Sequence, residues 1–114
     1  MPSDGAEPPV FVIDAARGAD GETAISVGGE LDLANADQLG AAVREGLASG
    51  DVTVDLSDLA FMDSAGVRAL NAALREADAA GRRLRVRKAM QPSVVQILEL
   101  TGMMALLDVA DDAP

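Results

Sequence analysis

An Asp-Ser pair lies where an apolar run meets a helical pattern, in the stretch DLAFMDSAGVRAL at residues 58–70. Either side chain could accept hydrogen bonds from the first free amides of the helix, and one such cap is enough. If Asp63 is the cap, Ser64 occupies the first helical position with its hydroxyl free, where the helix dipole favours an added anion. The pair therefore indicates either an ordinary helix cap or a serine available for phosphorylation.

Other residues around this pair could contribute to a binding site. Ala65 and Gly66 follow directly, and such small residues would let another protein or an active site approach closely. Upstream, the GELD stretch at residues 29–32 carries two acidic side chains, and its simplest interpretation is a strand end followed by a turn.

Composition excludes several classes of function. The chain has 114 residues with 9 basic and 19 acidic side chains, and its formal charge of −10 would repel nucleic acids and anionic membranes. It contains no cysteine and no histidine, so thiol nucleophiles, the usual zinc sites and the commonest general base are missing. Neither GxSxG nor a P-loop occurs. We predict a protein that is not an enzyme, with no catalytic residue, metal or cofactor.

Two further stretches have competing interpretations. The basic stretch RRLRVRK at residues 82–88 could suggest nucleic-acid binding, but its alternation and the acidic chain favour the solvated face of a sheet. Near the C-terminus, four apolar side chains either pack in the core or form an adaptable partner surface. They are Met103, Met104, Leu106 and Leu107.

The elements that must position the Asp-Ser turn alternate along the chain. Strands are predicted at residues 10–14, 23–27, 51–56 and 82–87, the first two as an antiparallel hairpin. Helical spacing of apolar residues predicts three helices, which end at Gly50, Gly81 and Gly102. The first would begin at Asn35, which resembles a capping box with Gln38, and the third near Pro92.

The pattern of the strands determines the predicted fold class. Strand-helix alternation implies parallel pairing of the strands. In the third strand, however, Val52, Val54 and Leu56 alternate with polar residues, so helices cannot cover both faces of the sheet. We predict an α/β fold: a small mixed β-sheet in the order ββαβαβα, with helices mainly on one face. The expected organisation is a flexible tail at residues 1–8, one domain at 9–109 and a flexible acidic tail at 110–114, within the closing DVADDAP.

No secretory signal or membrane span is predicted. The N-terminus lacks a basic start with an apolar stretch, and no apolar run approaches the roughly 18 residues of a membrane span. The expected location is the cytoplasm.

The run VDLSDLAFMDSAGVRALNAAL, together with GGELD at residues 28–32, resembles the STAS-domain family, in particular its anti-sigma factor antagonists. The resemblance covers nearly the whole chain and implies a mixed sheet with helices on one side. It also implies that a cognate anti-sigma factor, which is a serine kinase, phosphorylates a serine or threonine at the start of the second helix. Ser64 occupies that position and Asp63 that of the preceding aspartate. Many relatives carry a second hydroxyl residue next, where this chain has Ala65.

The resemblance further implies a partner-switching function. The unphosphorylated form would bind the anti-sigma factor and release the sigma factor, phosphorylation at Ser64 would end binding, and a phosphoserine phosphatase would reset the switch. The implied partner-binding residues are Glu30, Asp32, Asp63, Ser64, Ala65 and Gly66, with Glu30 and Asp32 meeting basic groups of the partner. Two alternatives remain: a STAS subunit of a membrane-lipid ABC transport complex, or a scaffold in a stress-sensing assembly.

Overall fold

Five strands form one mixed sheet in the computed structural model, which describes residues 11–110. The strands are β1 Val12–Arg17, β2 Thr23–Leu31, β3 Val52–Met62, β4 Leu84–Arg87 and β5 Asp108–Ala110. The helices are α1 Ala36–Leu47, α2 Ser64–Ala80 and α3 Pro92–Leu100, and a short 3₁₀ helix, Met103–Leu106, follows α3. The strands lie side by side in chain order, with β1 antiparallel to β2 and every other neighbouring pair parallel. The predicted α/β class and mixed sheet are confirmed.

One face of the sheet is buried and the other is open. In β3, Val52, Val54 and Leu56 are buried, while the intervening Thr53 and Asp55 are partly exposed. The helices cover the buried face with apolar stripes whose fully buried members include Leu39, Val43, Leu70, Ala73, Val94 and Leu98. The alternating strand pattern corresponds to this one-sided burial, which confirms the predicted placement of the helices.

The basic stretch RRLRVRK lies in and around β4, and three of its four arginines pair with acids of neighbouring strands. Arg83 Nη2 lies 3.0 Å from Asp108 Oδ2, and Arg87 Nε lies 3.9 Å from Asp55 Oδ2. Arg85 Nε lies 3.7 Å from the same Asp108 oxygen. The side chains in these pairs are 35–63% exposed, so the pairs contribute little to stability. The stretch is the solvated sheet face that the alternation indicated.

Several predicted boundaries differ from the structure. β1 is shifted toward residue 17, and β2 and β3 continue to residues 31 and 62, so that Ser57 lies in a strand rather than in a loop. Part of the predicted trailing segment, Asp108–Ala110, forms β5 instead. A strand of three residues is too short to show an alternating sequence pattern. It forms because its backbone pairs with β4. The predicted tail at residues 1–8, like 111–114 of the other tail, lies outside the described residues.

The C-terminal apolar residues largely pack against the core. Met103 is buried, and Met104 and Leu107 are partly buried against the main core cluster. Leu106 differs, because its side chain is 63% exposed. Across residues 11–110, the helices are all too short or too polar to span a membrane.

Candidate functional site

β2 and β3 end beside each other, and their ends bring the GELD stretch next to the Asp-Ser turn. The two strands are parallel, so their carboxyl ends lie at the same edge of the sheet. Leu31 pairs with Met62, and the Asp63 amide donates a hydrogen bond to the Leu31 carbonyl at 3.1 Å. The predicted neighbourhood of Glu30 and Asp32 with the turn before α2 is therefore present in the structure.

Asp63 is the N-cap of α2, which decides between the two capping residues that the sequence offered. Its backbone is extended, and its Oδ1 accepts hydrogen bonds from the amides of Ala65 at 2.8 Å and Gly66 at 3.3 Å. Its carbonyl oxygen also accepts from the Val67 amide at 3.1 Å. The half-buried carboxylate thus satisfies two of the free amides of the first turn, which leaves the next side chain without a capping role.

Ser64 is the first residue of α2 and its side chain is exposed. Within residues 11–110 its hydroxyl makes no hydrogen bond, whereas two competing hydroxyl groups are engaged. Ser93 Oγ donates to the Ala60 carbonyl at 2.6 Å, and Thr101 Oγ1 donates to the Ile97 carbonyl at 2.7 Å. A third competitor, Ser57, lies partly buried in β3. Ser64 is therefore the one exposed hydroxyl of these four that is left without a hydrogen bond inside the described residues.

Ala65 and Gly66 face the core, which corrects the expectation that they open the turn to a partner. Ala65 is 7% exposed and Gly66 is buried. A Cβ atom on Gly66 would lie 2.6 Å from Met62 Cγ and 3.1 Å from Leu31 Cγ. Gly66 lets the first turn of α2 approach Met62 and Leu31 at the ends of β3 and β2, and neither Gly66 nor the buried Ala65 offers a side chain to a partner at the surface.

Asn35 holds the acidic stretch in place, a role that the sequence did not reveal. Its Oδ1 accepts a hydrogen bond from the Asp32 amide, and its Nδ2 donates to the Glu30 carbonyl, both at 2.9 Å. Asp32 Oδ1 in turn accepts from the Ala34 amide at 3.0 Å. The predicted capping box with Gln38 is wrong, because the Asn35 side chain makes no hydrogen bond to the helix amides. The only available signal was an Asp and an Asn three residues apart after a strand.

The resulting surface is acidic and carries one free hydroxyl. Glu30 is exposed, Asp32 and Asp63 are partly exposed, and none of the three forms an ion pair inside the described part of the chain. No group of three metal-ligating side chains comes together within residues 11–110. Without a histidine anywhere in the sequence, Ser64 has no imidazole base beside it. The arrangement suits Ser64 to receive a phosphoryl group and the carboxylates to meet basic side chains.

Comparison with known proteins gives a family and several structural relatives. A family model described as "Mlab, STAS domain" matches residues 15–108. The structure resembles the unphosphorylated anti-sigma factor antagonist SpoIIAA with a TM-score of 0.75 at 22% identity, covering 90% of this chain and 89% of that one. For the phosphorylated form of SpoIIAA from Bacillus, the TM-score is 0.69 at 21% identity, covering 90% and 92%.

Two further solved structures also match this chain, one along most of its own length and the other along only a small part. An anti-sigma factor antagonist from Mycobacterium paratuberculosis is 25% identical with a TM-score of 0.75, covering 90% of this chain and 87% of that one. The murine anion transporter Slc26a9 is 17% identical with a TM-score of 0.60, covering 74% of this chain and 14% of the transporter. No curated protein matches the chain. Because the family model extends from within β1 to the start of β5, the chain belongs to the STAS-domain family.

Proposed function

We propose that this STAS domain is an anti-sigma factor antagonist that acts as a phosphorylation switch. In its unphosphorylated form it binds an anti-sigma factor with serine kinase activity and thereby releases the sigma factor. Phosphorylation at Ser64 ends binding, and a phosphoserine phosphatase restores it. The protein is not itself an enzyme, and it works in the cytoplasm. The observation that carries the proposal is the exposed, unbonded Ser64 hydroxyl at the start of a helix that Asp63 already caps.

The acids beside Ser64 support binding of a basic partner surface. Glu30 and Asp32 flank Leu31 at the end of β2. The Leu31 carbonyl accepts a hydrogen bond from the Asp63 amide. Unpaired carboxylates at the edge of a chain of charge −10 attract a cationic surface and orient its approach. Similarity to anti-sigma factor antagonists over about nine tenths of the chain supports the same assignment.

The kinase is expected to phosphorylate Ser64 in the parent chain, and the Ser64→Ala variant is expected to lack this label. Purified chain, kinase and ATP would be incubated and the modified peptide mapped by mass spectrometry. Ser93→Ala is the matched control, because Ser93 also lies in the first turn of a helix but donates its hydroxyl to Ala60. That control should be labelled like the parent. Undiminished labelling of Ser64→Ala would refute the assignment.

Asp63→Ala is expected to lower both stability and partner binding. Losing the cap costs about 1 kcal/mol of unfolding free energy, and the carboxylate also faces the proposed partner. Asp63→Asn separates the two effects, since asparagine caps about as well but carries no charge. Urea denaturation should show a loss only for the alanine variant, while calorimetry should show weaker binding for both. Parental binding and phosphorylation of Asp63→Ala would contradict the role given to this carboxylate.

A second candidate function is that of a subunit in a transport complex. The description of the matching family model and the similarity to part of an anion transporter are the observations that favour it. Affinity capture from the native host, followed by identification of the bound proteins, discriminates the two functions. A small serine kinase supports the switch, whereas transporter subunits support the alternative, and a large assembly would indicate the scaffold role.

A further inference from the structure

A bulge between β2 and β3 turns an aromatic side chain outward close to Ser64. Gly29 pairs with Leu59 and Glu30 with Phe61, so Ala60 is an extra residue on β3. Gly29 has φ +89°, a conformation that glycine adopts readily and that bulges often need. Alternation is interrupted as a result: Ala60 and Phe61 are both exposed, and Met62 points into the core.

Phe61 is one of two aromatic residues in the whole chain, and the bulge leaves it 46% exposed. Strict alternation after the buried Leu59 would instead have placed Phe61 inside and Met62 outside. Bulges frequently redirect side chains beside functional sites, and exposed aromatic residues are enriched in the centres of protein interfaces. Phe61 lies three residues before Ser64, on the strand that leads directly into α2.

The immediate surroundings of Phe61 are acidic. Glu30 is its pairing partner across the strands, and Asp58 is exposed on the same strand. Leu33 adds a second exposed apolar side chain at this sheet edge, 78% exposed and two residues beyond Leu31. Neither Glu30 nor Asp58 is in an ion pair with another described residue. An apolar centre with unpaired carboxylates around it is complementary to an apolar pocket with a basic rim.

We propose that Phe61 is the apolar anchor by which this chain docks on its anti-sigma factor, in a pocket rimmed by arginine or lysine. This inference rests on the proposed function and extends it, because it assigns the contact to a side chain outside the phosphorylated turn. The anchor supplies the slow dissociation of the complex, and Glu30 and Asp58 supply its fast, salt-dependent association. Phosphorylation of Ser64 would then break a contact three residues along the chain from the anchor.

The parent chain is first used to capture the serine-kinase anti-sigma factor from its host, and that factor is purified. The affinities and binding rates of single variants for the purified factor are then compared. Phe61→Ser should lower the affinity by about 30-fold, the usual effect of losing an interface hot spot. The loss should appear in the dissociation rate, and the dependence on salt should remain. Phe61→Leu keeps an apolar side chain and should lose less affinity than Phe61→Ser. Glu30→Gln should reduce the association rate and its salt dependence.

Leu100→Ser is the matched control, because Leu100 is also exposed, at 77%, but lies at the far end of α3 from Ser93 and Ala60. It should bind like the parent. Melting curves show whether Phe61→Ser is folded; if it is not, Phe61→Thr, whose β-branched side chain suits a strand, takes its place with the same expected loss. If folded Phe61→Ser binds with the parental affinity, or if Leu100→Ser loses as much affinity, the anchor proposal is wrong. Labelling of Ser64 in the same experiments would still support the phosphorylation switch. Capture of transporter subunits without Ser64 labelling would overturn both.

Discussion

Phosphorylation of Ser64 is expected to weaken binding to the anti-sigma factor nearly a thousandfold. The phosphoryl group adds about −1.5 to −2 charges beside the Asp63 carboxylate, at a surface from which the partner must exclude water. One like-charge contact near 4 Å costs up to about 4 kcal/mol at an effective dielectric constant of 20, which corresponds to nearly a thousandfold in affinity. Calorimetry with the phosphorylated and unphosphorylated chain measures this difference directly.

The fold of the free domain should survive the same modification. The start of α2 stabilises an anion by about 0.3 to 1 kcal/mol, and Arg68 is exposed one helical turn after Ser64. We expect an almost unchanged melting temperature and amide NMR shifts confined to residues 62–68. Ser64→Ala is the control, and it should bind the partner like the parent because it lacks only one hydroxyl. Shifts that extend to β1 and α3 would instead indicate an allosteric mechanism.

Gly66→Ala is expected to lower the free energy of unfolding by about 1 to 3 kcal/mol, the usual range for overpacking a core. The added methyl group would lie 2.6 Å from Met62 Cγ, so the side chain or the helix must move. Urea denaturation measures the loss. Movement of the helix would also displace Ser64, so a lower rate of phosphorylation is expected together with the lower stability.

Gly40→Ala is the matched control for this substitution. Gly40 also lies within a helix, but a Cβ atom there would meet only Arg44 Nη1 at an ordinary 3.4 Å. Alanine is the better helix former by up to about 1 kcal/mol, so Gly40→Ala should be at least as stable as the parent. Equal stabilities of the two variants would show that the packing at Gly66 tolerates a methyl group.

Local patterns were sufficient for the elements whose signals are contained in a few neighbouring residues. Alternation in β3 indicated which face is buried, and residue type and position limited the cap of α2 to Asp63 or Ser64. Contacts between distant segments carried no such signal. The bulge that exposes Phe61 depends on the register of β2 against β3, and Gly29 and Ala60 are far apart in the chain.

Residue type alone was also ambiguous where one side chain has two possible uses. Asn35 is a common N-cap residue, but here its amide bonds the end of β2 because an acceptor and a donor are both required there. Ala65 and Gly66 could have been small to admit a partner or to pack closely. For Gly66, the position of Met62 and Leu31 shows that close packing is the reason, and Ala65 is buried as well.

The cap formed by Asp63 has a consequence for how long a phosphorylation signal persists. Its Oδ1 already occupies the amides of Ala65 and Gly66, and the Ser64 side chain is exposed, so a phosphoryl group there would not have to displace the cap. The domain therefore neither hides the phosphate from hydrolysis nor traps it. In the proposed switch, the lifetime of the modified state would then depend on the phosphatase that the cell supplies rather than on this fold.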